Sequence, residues 1–558
     1  MEELRERIEK LINDKYGVKA EVVWAAVPPE VKGDYATNIA LRIAKQVGRS
    51  PRDIAMEIVA EMTPEYDLEV AGAGFINVSW SAKKLWRKLD VEWSDQYGNN
   101  KDGEGKMALV EFPSVNLAKP YSVGHLRPGT QGWATKKLFE ANGWKVVTDN
   151  HLGDAGTPFG IWAVGFLESG KTLEETTVYD LGKIYIDMKA RLKTEEDVGE
   201  DGLAKRVQDW LMKLEAKDEK AIEFAEAFRR ISLEHVHGVM QRMGIATDYE
   251  YGESFYVEKG KELVEKYLGE GKFVKNADGS VICELDGFEI PMLVLKSNGA
   301  ALYATTDLGC MAYRAERWHP DKVVYCAGAE QKFYFEQLFA MGKKLGFEQE
   351  NIHLWFGMID QLNEAGKREK MSSRKGVVLM EEMLDDAERR VRSEFGKDLD
   401  KEDVRKIAVG AIKYSDFIGD RKTGILYDPE KIFALTGCSG PFCQYAVVRM
   451  KRIIEKYDNE KESEAWSEDY DFEAEKEVIK KLIEFPQLIK TTMDSLEVHK
   501  IAGYAFDLAQ IMNRYYERTE IGGAEKEIRG ARLTVIKRAA AVLTRALDVL
   551  GVEIPKQM

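Results

Sequence analysis

Two short stretches hold residues whose types and spacing could do chemistry: "SVGH" (122–125) and "KMSSR" (370–374). In the first, Gly124 and His125 follow an apolar run, and Lys119 lies a few residues upstream. A glycine there lets an adenine lie against bare backbone, while a helix N-terminus and an imidazole meet phosphate oxygens. Lys119 would add a cation. The second stretch is a basic, hydroxyl-bearing loop in which Lys370, Arg374 and Lys375 are spaced to clamp a pyrophosphate leaving group. Such loops catalyse by stabilising charge that develops in the transition state, with no covalent step. Singly, each stretch also reads as an ordinary turn or a solvated charge run.

The surrounding elements must bring these residues together. "MALVEF" (107–112) is an apolar run suited to a parallel strand buried on both faces. A loop, a helix through "ATKKLFEANGW" (134–144) and a second strand "KVVTDNHLG" (145–153) complete a β-loop-α-β unit, the opening half of a nucleotide-binding sheet. Residues 160–290 are mostly helical and charged and end in hairpin-like strands, which predicts an insertion. The β/α rhythm returns at "ALYATTDLGCMAYRAER" and "KVVYCAGAEQKFYFEQLFAMGKKLG" and closes near "IHLWFGMI" (352–359); from about 380 the pattern is helical. Before the sheet, helical patterning over 2–14 and 36–62 precedes "AGAGFINVSW" (71–80), a turn into a short strand, and "YGNNKDGEGK" (97–106) reads as a linker. Pro128 predicts that the helix after "SVGH" starts late, near Gly124 or His125, so that the proline falls in the first turn where its missing N–H costs little.

At 558 residues the chain is too long for one core, and three or four units are expected. With 44% hydrophobic and 32% charged residues, and no apolar run near the roughly 20 residues of a membrane span, the composition is that of an ordinary soluble protein. The opening "MEELRERIEKLIND" reads as an acid-rich amphipathic helix rather than a leader. Five scattered cysteines without a CxxC pair argue for a reducing compartment, the cytoplasm fitting best, and against a zinc knuckle or disulfide frame. His235 and His237, two apart on a helix, point to different faces with no cysteine near, so a structural role is expected and no protein metal site.

A net charge of −15 argues by itself against a nucleic-acid binder, but the charge is segregated. Residues 457–477 are strongly acidic, whereas "VVRMKRIIEK" (447–456) and 526–545 are basic. Arg449, Arg452 and Lys456 fall at i, i+3 and i+7 on one helix face, with Phe442 and Tyr445 just ahead. Aromatics to stack unpaired bases and cations for phosphates suit a single-stranded loop. Core aromatics with a solvated basic face give the same pattern.

The two signature stretches together resemble those of class I aminoacyl-tRNA synthetases, "SVGH" being similar to HIGH and "KMSSR" to KMSKS. Longer blocks narrow the family: "EFPSVNLAKPYSVGHLR" (111–127), "NHLGDAGTPFG" (150–160), "LYATTDLG" (302–309), "GAEQKFYFEQLF" (328–339) and "GCSGPFCQYAVVRM" (437–450) resemble arginyl-tRNA synthetase in the right order, as do "GDYATNIALRIAK" (33–45) and "LDVLGVEIPKQM" (547–558) at the two ends. The resemblance spans nearly the whole chain. It departs from the pattern at Ser122, which replaces the first histidine of HIGH, and at Ser373 and Arg374 in the second motif.

This resemblance implies a multidomain α/β fold: an additional N-terminal α/β domain (1–100), a Rossmann-like parallel-sheet catalytic domain (105–380, insertion about 160–290), a connecting helical segment (381–425) and an all-α anticodon-binding domain (426–558). It implies ligation of L-arginine to tRNA(Arg) through an arginyl-adenylate, with Lys119, His125, Lys370 and Arg374 catalytic. ATP would be bound by Ser122, Gly124, His125, Met371, Ser372, Ser373 and Lys375, with Mg²⁺ accompanying the triphosphate. Arginine would be bound by Glu111, Asn116, Tyr303, Asp307 and Gln331, in keeping with a guanidinium's need for carboxylates in fork geometry and an aromatic or amide wall. The tRNA would be bound by Phe75, Asn77, Phe442, Tyr445, Arg449 and Arg452, by a monomer. In the bland alternative, Phe75 packs in a strand core and Asn77 caps a turn. Two rivals stand beside this reading: a related adenylyl-transferring ligase for another acid, and a degenerate synthetase that only binds RNA.

Overall fold

The computed structural model of the chain describes residues 2–27, 33–62, 66–117, 119–154, 157–193, 202–362, 367–371, 378–396, 398–457 and 469–558. It contains two compact units. One comprises Met1–Asp95, Tyr457–Ile483 and Tyr515–Val535, the other Gln96–Lys456, Glu484–Arg514 and Ile536–Met558.

In the first unit, Leu4, Ile8 and Ile12 recur every four residues along the helix Glu2–Tyr16 and so form one apolar stripe. That stripe shares a core with Ile39, Ile43, Ile54, Ile58, Ile76 and Val78. The last two belong to Phe75–Ser79, which pairs antiparallel with Tyr35–Thr37 on one side and Asp67–Ala71 on the other. The expected helical stretch 36–62 is therefore corrected. It begins as a strand and then divides into helices Ile39–Val47 and Pro51–Met62. Gly48 ends the first at φ 70, a left-handed cap that a side chain disfavours. Pro51 then opens the second, so period alone misses the break.

In the second unit, four parallel strands form a sheet: β1 (Met107–Glu111), β2 (Lys145–Asp149), β3 (Lys322–Tyr325) and β4 (Glu350–His353). Their spatial order is β4-β3-β1-β2. The central pairings run Lys322↔Ala108 to Tyr325↔Glu111 and Met107↔Lys145 to Glu111↔Asp149, so Glu111, Asp149 and Tyr325 stand level at the carboxyl edge. Helix α1 (Leu126–Ala141) joins β1 to β2, and α3 (Lys332–Leu345) joins β3 to β4. Between β2 and β3 the described residues of the insertion contribute five α-helices, from Thr157–Ser169 to Glu253–Gly269, and a small antiparallel sheet, before α2 (Tyr303–Trp318). Leu109, Val147, Val323, Leu308, Met311 and Leu338 pack into one core between this sheet and its helices. The connections diverge on either side of the β1–β3 pair, the switch point where open α/β sheets take ligands.

Past β4, Ile359–Leu362 pairs antiparallel with Arg368–Lys370 and parallel with Ile425–Leu426. Helices Met380–Glu394, Lys401–Ser415 and Gly440–Tyr457 follow. As expected from Pro128, one 3-10 turn (Val123–His125) precedes α1, and the proline is the third residue of the helix. No helix among the described residues is long and apolar enough to cross a membrane. Cys283, Cys310, Cys326, Cys438 and Cys443 are free thiols.

Candidate active site

The carboxyl ends of β1 and β3 open into a cavity of about 520 Å³. Glu111, Asn116, Gly124, His125, Tyr303, Asp307 and Gln331, drawn from five separate parts of the sequence, all line it. Glu111 ends β1, and Asn116 lies on the loop beyond. Gly153 faces that loop: a Cβ there would lie 2.1 Å from Asn116 Oδ1, so a larger residue would displace the Asn116 side chain. Tyr303 opens α2 and Asp307 follows four residues later on the same face, and Gln331 immediately precedes α3. Ser114, His151, Glu253, Glu330 and Tyr334 complete much of the wall. Four carboxylates therefore line the cavity, with no lysine or arginine among the described lining residues.

Three of these carboxylates, Glu111, Asp307 and Glu253, are held differently. The buried guanidinium of Arg314 lies 2.6 Å from Glu111 Oε2 and 2.7 Å from Asp149 Oδ2. Burial pushes the Glu111 carboxyl up, but the charges of Arg314 and His151 and hydrogen bonds from Arg314 and Ser114 outweigh it, so Glu111 is held below the usual range. Asp307 goes the other way, raised by burial. It accepts the Tyr334 hydroxyl and lies 3.7 Å from His151 Nε2. Glu253 is pushed up to about 8 by burial and by the charges of Asp307 and Asp154. Carboxylates raised in this way are short of a positive partner, and a bound cation supplies one.

On the other side of the cavity, the Ser122 N–H donates to His125 Nδ1 at 3.2 Å, and the Ser122 hydroxyl lies 3.4 Å from the same atom. Desolvation lowers the His125 pKa to about 4, and the charge of exposed Lys119 adds to that. The imidazole is thus neutral at physiological pH. With Nδ1 accepting, the proton sits on Nε2, which is a donor. Tyr121 supports the ring, with centroids 4.9 Å apart. Its own N–H donates to His235 Nε2 at 3.0 Å.

The backbone of Lys370 ends the strand Arg368–Lys370, and the buried Met371 donates its N–H to the Ile359 carbonyl at 3.1 Å. The side chain of Lys370 and all of Ser372, Ser373, Arg374 and Lys375 lie outside the described residues. The chain that follows runs alongside the other motif: Val123 N–H donates to Val378 O and Met380 N–H to Tyr121 O, both at 3.0 Å, and Ser122 and Leu379 form an antiparallel bridge.

The proposed nucleic-acid residues fall elsewhere. Along Gly440–Tyr457, Tyr445 and Arg452 are exposed. Arg449 is half-buried, with Nη1 3.5 Å from Asn513 Oδ1, and Phe442 packs on Phe506 at 5.4 Å. Phe75 is 43% exposed, so it is not strand core. Asn77 is buried in mid-strand, paired with Ala36 and Glu69, so it caps no turn. His237 Nε2 lies 2.6 Å from Glu250 Oε2 and His235 Nδ1 3.5 Å from Glu381 Oε1.

Sequence reasoning missed Glu253, His151, Tyr334 and Arg314. The first sits at the start of an insertion helix with no motif, and reaches the cavity through the bridge Leu152↔Gly252. His151 and Tyr334 lie inside blocks that already carried the family pattern, which was the available signal.

A parallel sheet with a long insertion between its halves, and a cavity at the switch point flanked by the "SVGH" turn, is the catalytic architecture of class I tRNA synthetases. The family model described as tRNA synthetases class I (R), catalytic domain, matches residues 91–428. Those for the arginyl tRNA synthetase N terminal domain and the DALR anticodon binding domain match 2–79 and 443–558. The arginine–tRNA ligase of Lactococcus lactis subsp. cremoris (strain MG1363) is 32% identical over 545 residues, 93% of each chain. That of Streptococcus mutans is 32% identical over 535 residues, 92% of each. Solved arginyl-tRNA synthetases of Thermus thermophilus (21% identity, all of both chains) and Plasmodium falciparum (20%, all of this chain and 99% of that one) share the fold with TM-scores of 0.79. The chain belongs to the arginyl-tRNA synthetase family.

Proposed function

We propose that the chain ligates L-arginine to tRNA(Arg). The arginine carboxylate attacks the α-phosphorus of ATP, forming arginyl-adenylate and expelling pyrophosphate. The terminal ribose hydroxyl of the tRNA then attacks the activated carbonyl and AMP leaves. No side chain is a nucleophile. The observation that carries the reading is the acidic cavity: Glu111, Asp307 and Glu253 face a space with no lysine or arginine among its described lining residues. A ligand with a cation at each end, the α-amino group at Glu111 and the guanidinium between Asp307 and Glu253, meets that demand. Asn116 and Gln331 add hydrogen bonds and Tyr303 an aromatic wall, so the cavity presents the carboxylate in one orientation. Lysine would bring a point charge and no fork.

ATP lies against Gly124, with Ser122 and Met371 beside it. Neutral His125 donates from Nε2 to a phosphate oxygen, and Lys119, Lys370, Arg374 and Lys375 balance the charge of the departing pyrophosphate, with Ser372 and Ser373 as hydroxyl donors. Mg²⁺ enters with the triphosphate and draws its ligands from phosphate oxygens. Residues 1–100 contact the tRNA through exposed Phe75, whereas Asn77 is buried in mid-strand and does not reach it; 105–380 perform the chemistry, 381–425 connect, and 426–558 read the tRNA through Phe442, Tyr445, Arg449 and Arg452. The enzyme acts as a monomer in a reducing compartment such as the cytoplasm, in keeping with its five free thiols. Arginine-dependent exchange of pyrophosphate into ATP, run with and without tRNA, tests the reading. Exchange with a different amino acid, or tight tRNA binding with no exchange, overturns it.

A further inference from the structure

Behind the "SVGH" turn lies a buried polar cluster that takes no part in binding arginine. Asp416 is fully buried just beyond the helix Lys401–Ser415. Its Oδ1 accepts Arg127 Nε at 2.7 Å, and its Oδ2 accepts Gln131 Nε2 at 2.9 Å and the Thr130 hydroxyl. These three donors lie at i, i+3 and i+4 on the first turns of α1, which begins one residue after His125. Arg127, 1% exposed, extends the cluster: Nη1 donates to Gly357 O at 2.7 Å and to Thr423 O at 2.9 Å, and the guanidinium lies 5.7 Å from the Phe356 ring. Phe356, like His125, lines the cavity.

We propose that Asp416 is a positioning residue for the nucleotide half of the reaction: through Arg127, Thr130 and Gln131 it fixes the Gly124–His125 turn at a set distance from the Phe356–Gly357 wall. This rests on the reading that ATP occupies that turn. Stability alone does not account for the cluster, because a buried ion pair can commonly be replaced by apolar groups of similar volume without loss. What apolar groups do not reproduce is direction. Five hydrogen bonds made by one arginine and one carboxylate hold the helix start and the wall in a single arrangement. An imidazole that must aim one N–H at a phosphate oxygen depends on such a support, since small misplacements are costly at a reacting centre.

The test is calorimetric titration of the full chain with a non-hydrolysable ATP analogue and, separately, with arginine. Thr130→Val is isosteric and removes one donor without exposing a charge. It is expected to weaken the analogue about fivefold and leave arginine unchanged. The double substitution Arg127→Met with Asp416→Leu removes both charges together; the folded product is expected to bind the analogue about tenfold or more weakly, again with arginine unchanged. Unaltered analogue affinity in Thr130→Val overturns the proposal, as does an equal loss for both ligands, which would mean general loosening. Should the double variant not fold, Thr130→Val decides alone. Because both titrations read binding, they decide the role of Asp416 even if the unaltered chain fails to exchange pyrophosphate with arginine, a result that would sink the arginine reading instead.

Discussion

Arg314 Nη1 lies 2.6 Å from Glu111 Oε2, a full ion pair at the carboxyl edge of the central strand. The same guanidinium serves Asp149 on the neighbouring strand, so one buried cation orders two buried carboxylates that stand level in register. Glu111 therefore stays ionised and fixed, with its open side toward the cavity. Replacing Arg314 by leucine leaves two buried charges uncompensated, and an expected cost of about 3–5 kcal/mol follows. Because protonation relieves that repulsion, the loss measured by urea unfolding should be smaller at pH 5 than at pH 8.

Asp307 has the opposite situation: no arginine or lysine is among the described residues lining its cavity, and burial raises its pKa. Asp307→Ala is expected to weaken arginine about a hundredfold, the order of a lost charge-assisted fork, while an ATP analogue binds as before. Equilibrium titration with each ligand checks both halves. Unchanged arginine affinity would remove Asp307 from the pocket.

Glu253, pushed up to about 8, makes the arginine step sensitive to pH. Its ordinary value is 4.5, so between pH 4.5 and about 8 the empty folded protein keeps a proton that the unfolded chain releases. The sign follows: this carboxyl's contribution to stability is intact below pH 4.5, declines as pH rises, and levels off above about 8. A guanidinium at this carboxylate favours its charged form. Arginine binding at pH 7 should thus release close to one proton and strengthen from pH 6 to 8. Calorimetry in buffers of different ionisation heat reads the proton, and Glu253→Gln should abolish both effects.

The sequence carried the parallel sheet, the insertion and five residues that line the cavity, because each rests on local pattern: a doubly apolar strand, a helix start, a block of family spacing. It did not carry Glu253 or Arg314, whose roles exist only once the insertion helix reaches β2 and α2 crosses behind β1. Residues 36–62 failed for another reason. A helical period runs through both halves, and the interruption lies in the left-handed backbone of Gly48, which period does not register. Asn77 and Phe75 also escaped their bland readings, since alternation along a strand does not say which face a neighbouring element will cover.

His125, with its pKa near 4, is expected to stay neutral down to pH 5 in the folded protein. Nitrogen chemical shifts of a ring-labelled sample should show the Nε2–H tautomer unchanged between pH 8 and 5. The lowered value also has a stability consequence: the contribution is complete above pH 6.5 and is lost as pH falls toward about 4. On the proposed role of Nε2–H as a donor to phosphate, His125→Ala should slow adenylate formation about a hundredfold or more.

The stripe on Gly440–Tyr457 makes a separate, ionic-strength prediction. Tyr445, Arg449, Arg452 and Lys456 share one side of the helix, whereas Lys451 points to another. If the stripe meets phosphates of a single-stranded loop, each cation lost removes about 0.7 from the slope of log affinity against log salt. Arg449→Ala and Arg452→Ala should each show that decrease together with weaker tRNA binding, and Lys451→Ala should show neither. Arg452 is the cleaner probe, because among the described residues its exposed guanidinium makes a long contact, 3.4 Å, with the Met558 carbonyl. Arg449 also contacts Asn513, so part of its loss would be local packing, which lowers affinity without altering the salt slope. Slopes identical in all three variants would mean that the basic face is solvated and that the tRNA is held elsewhere.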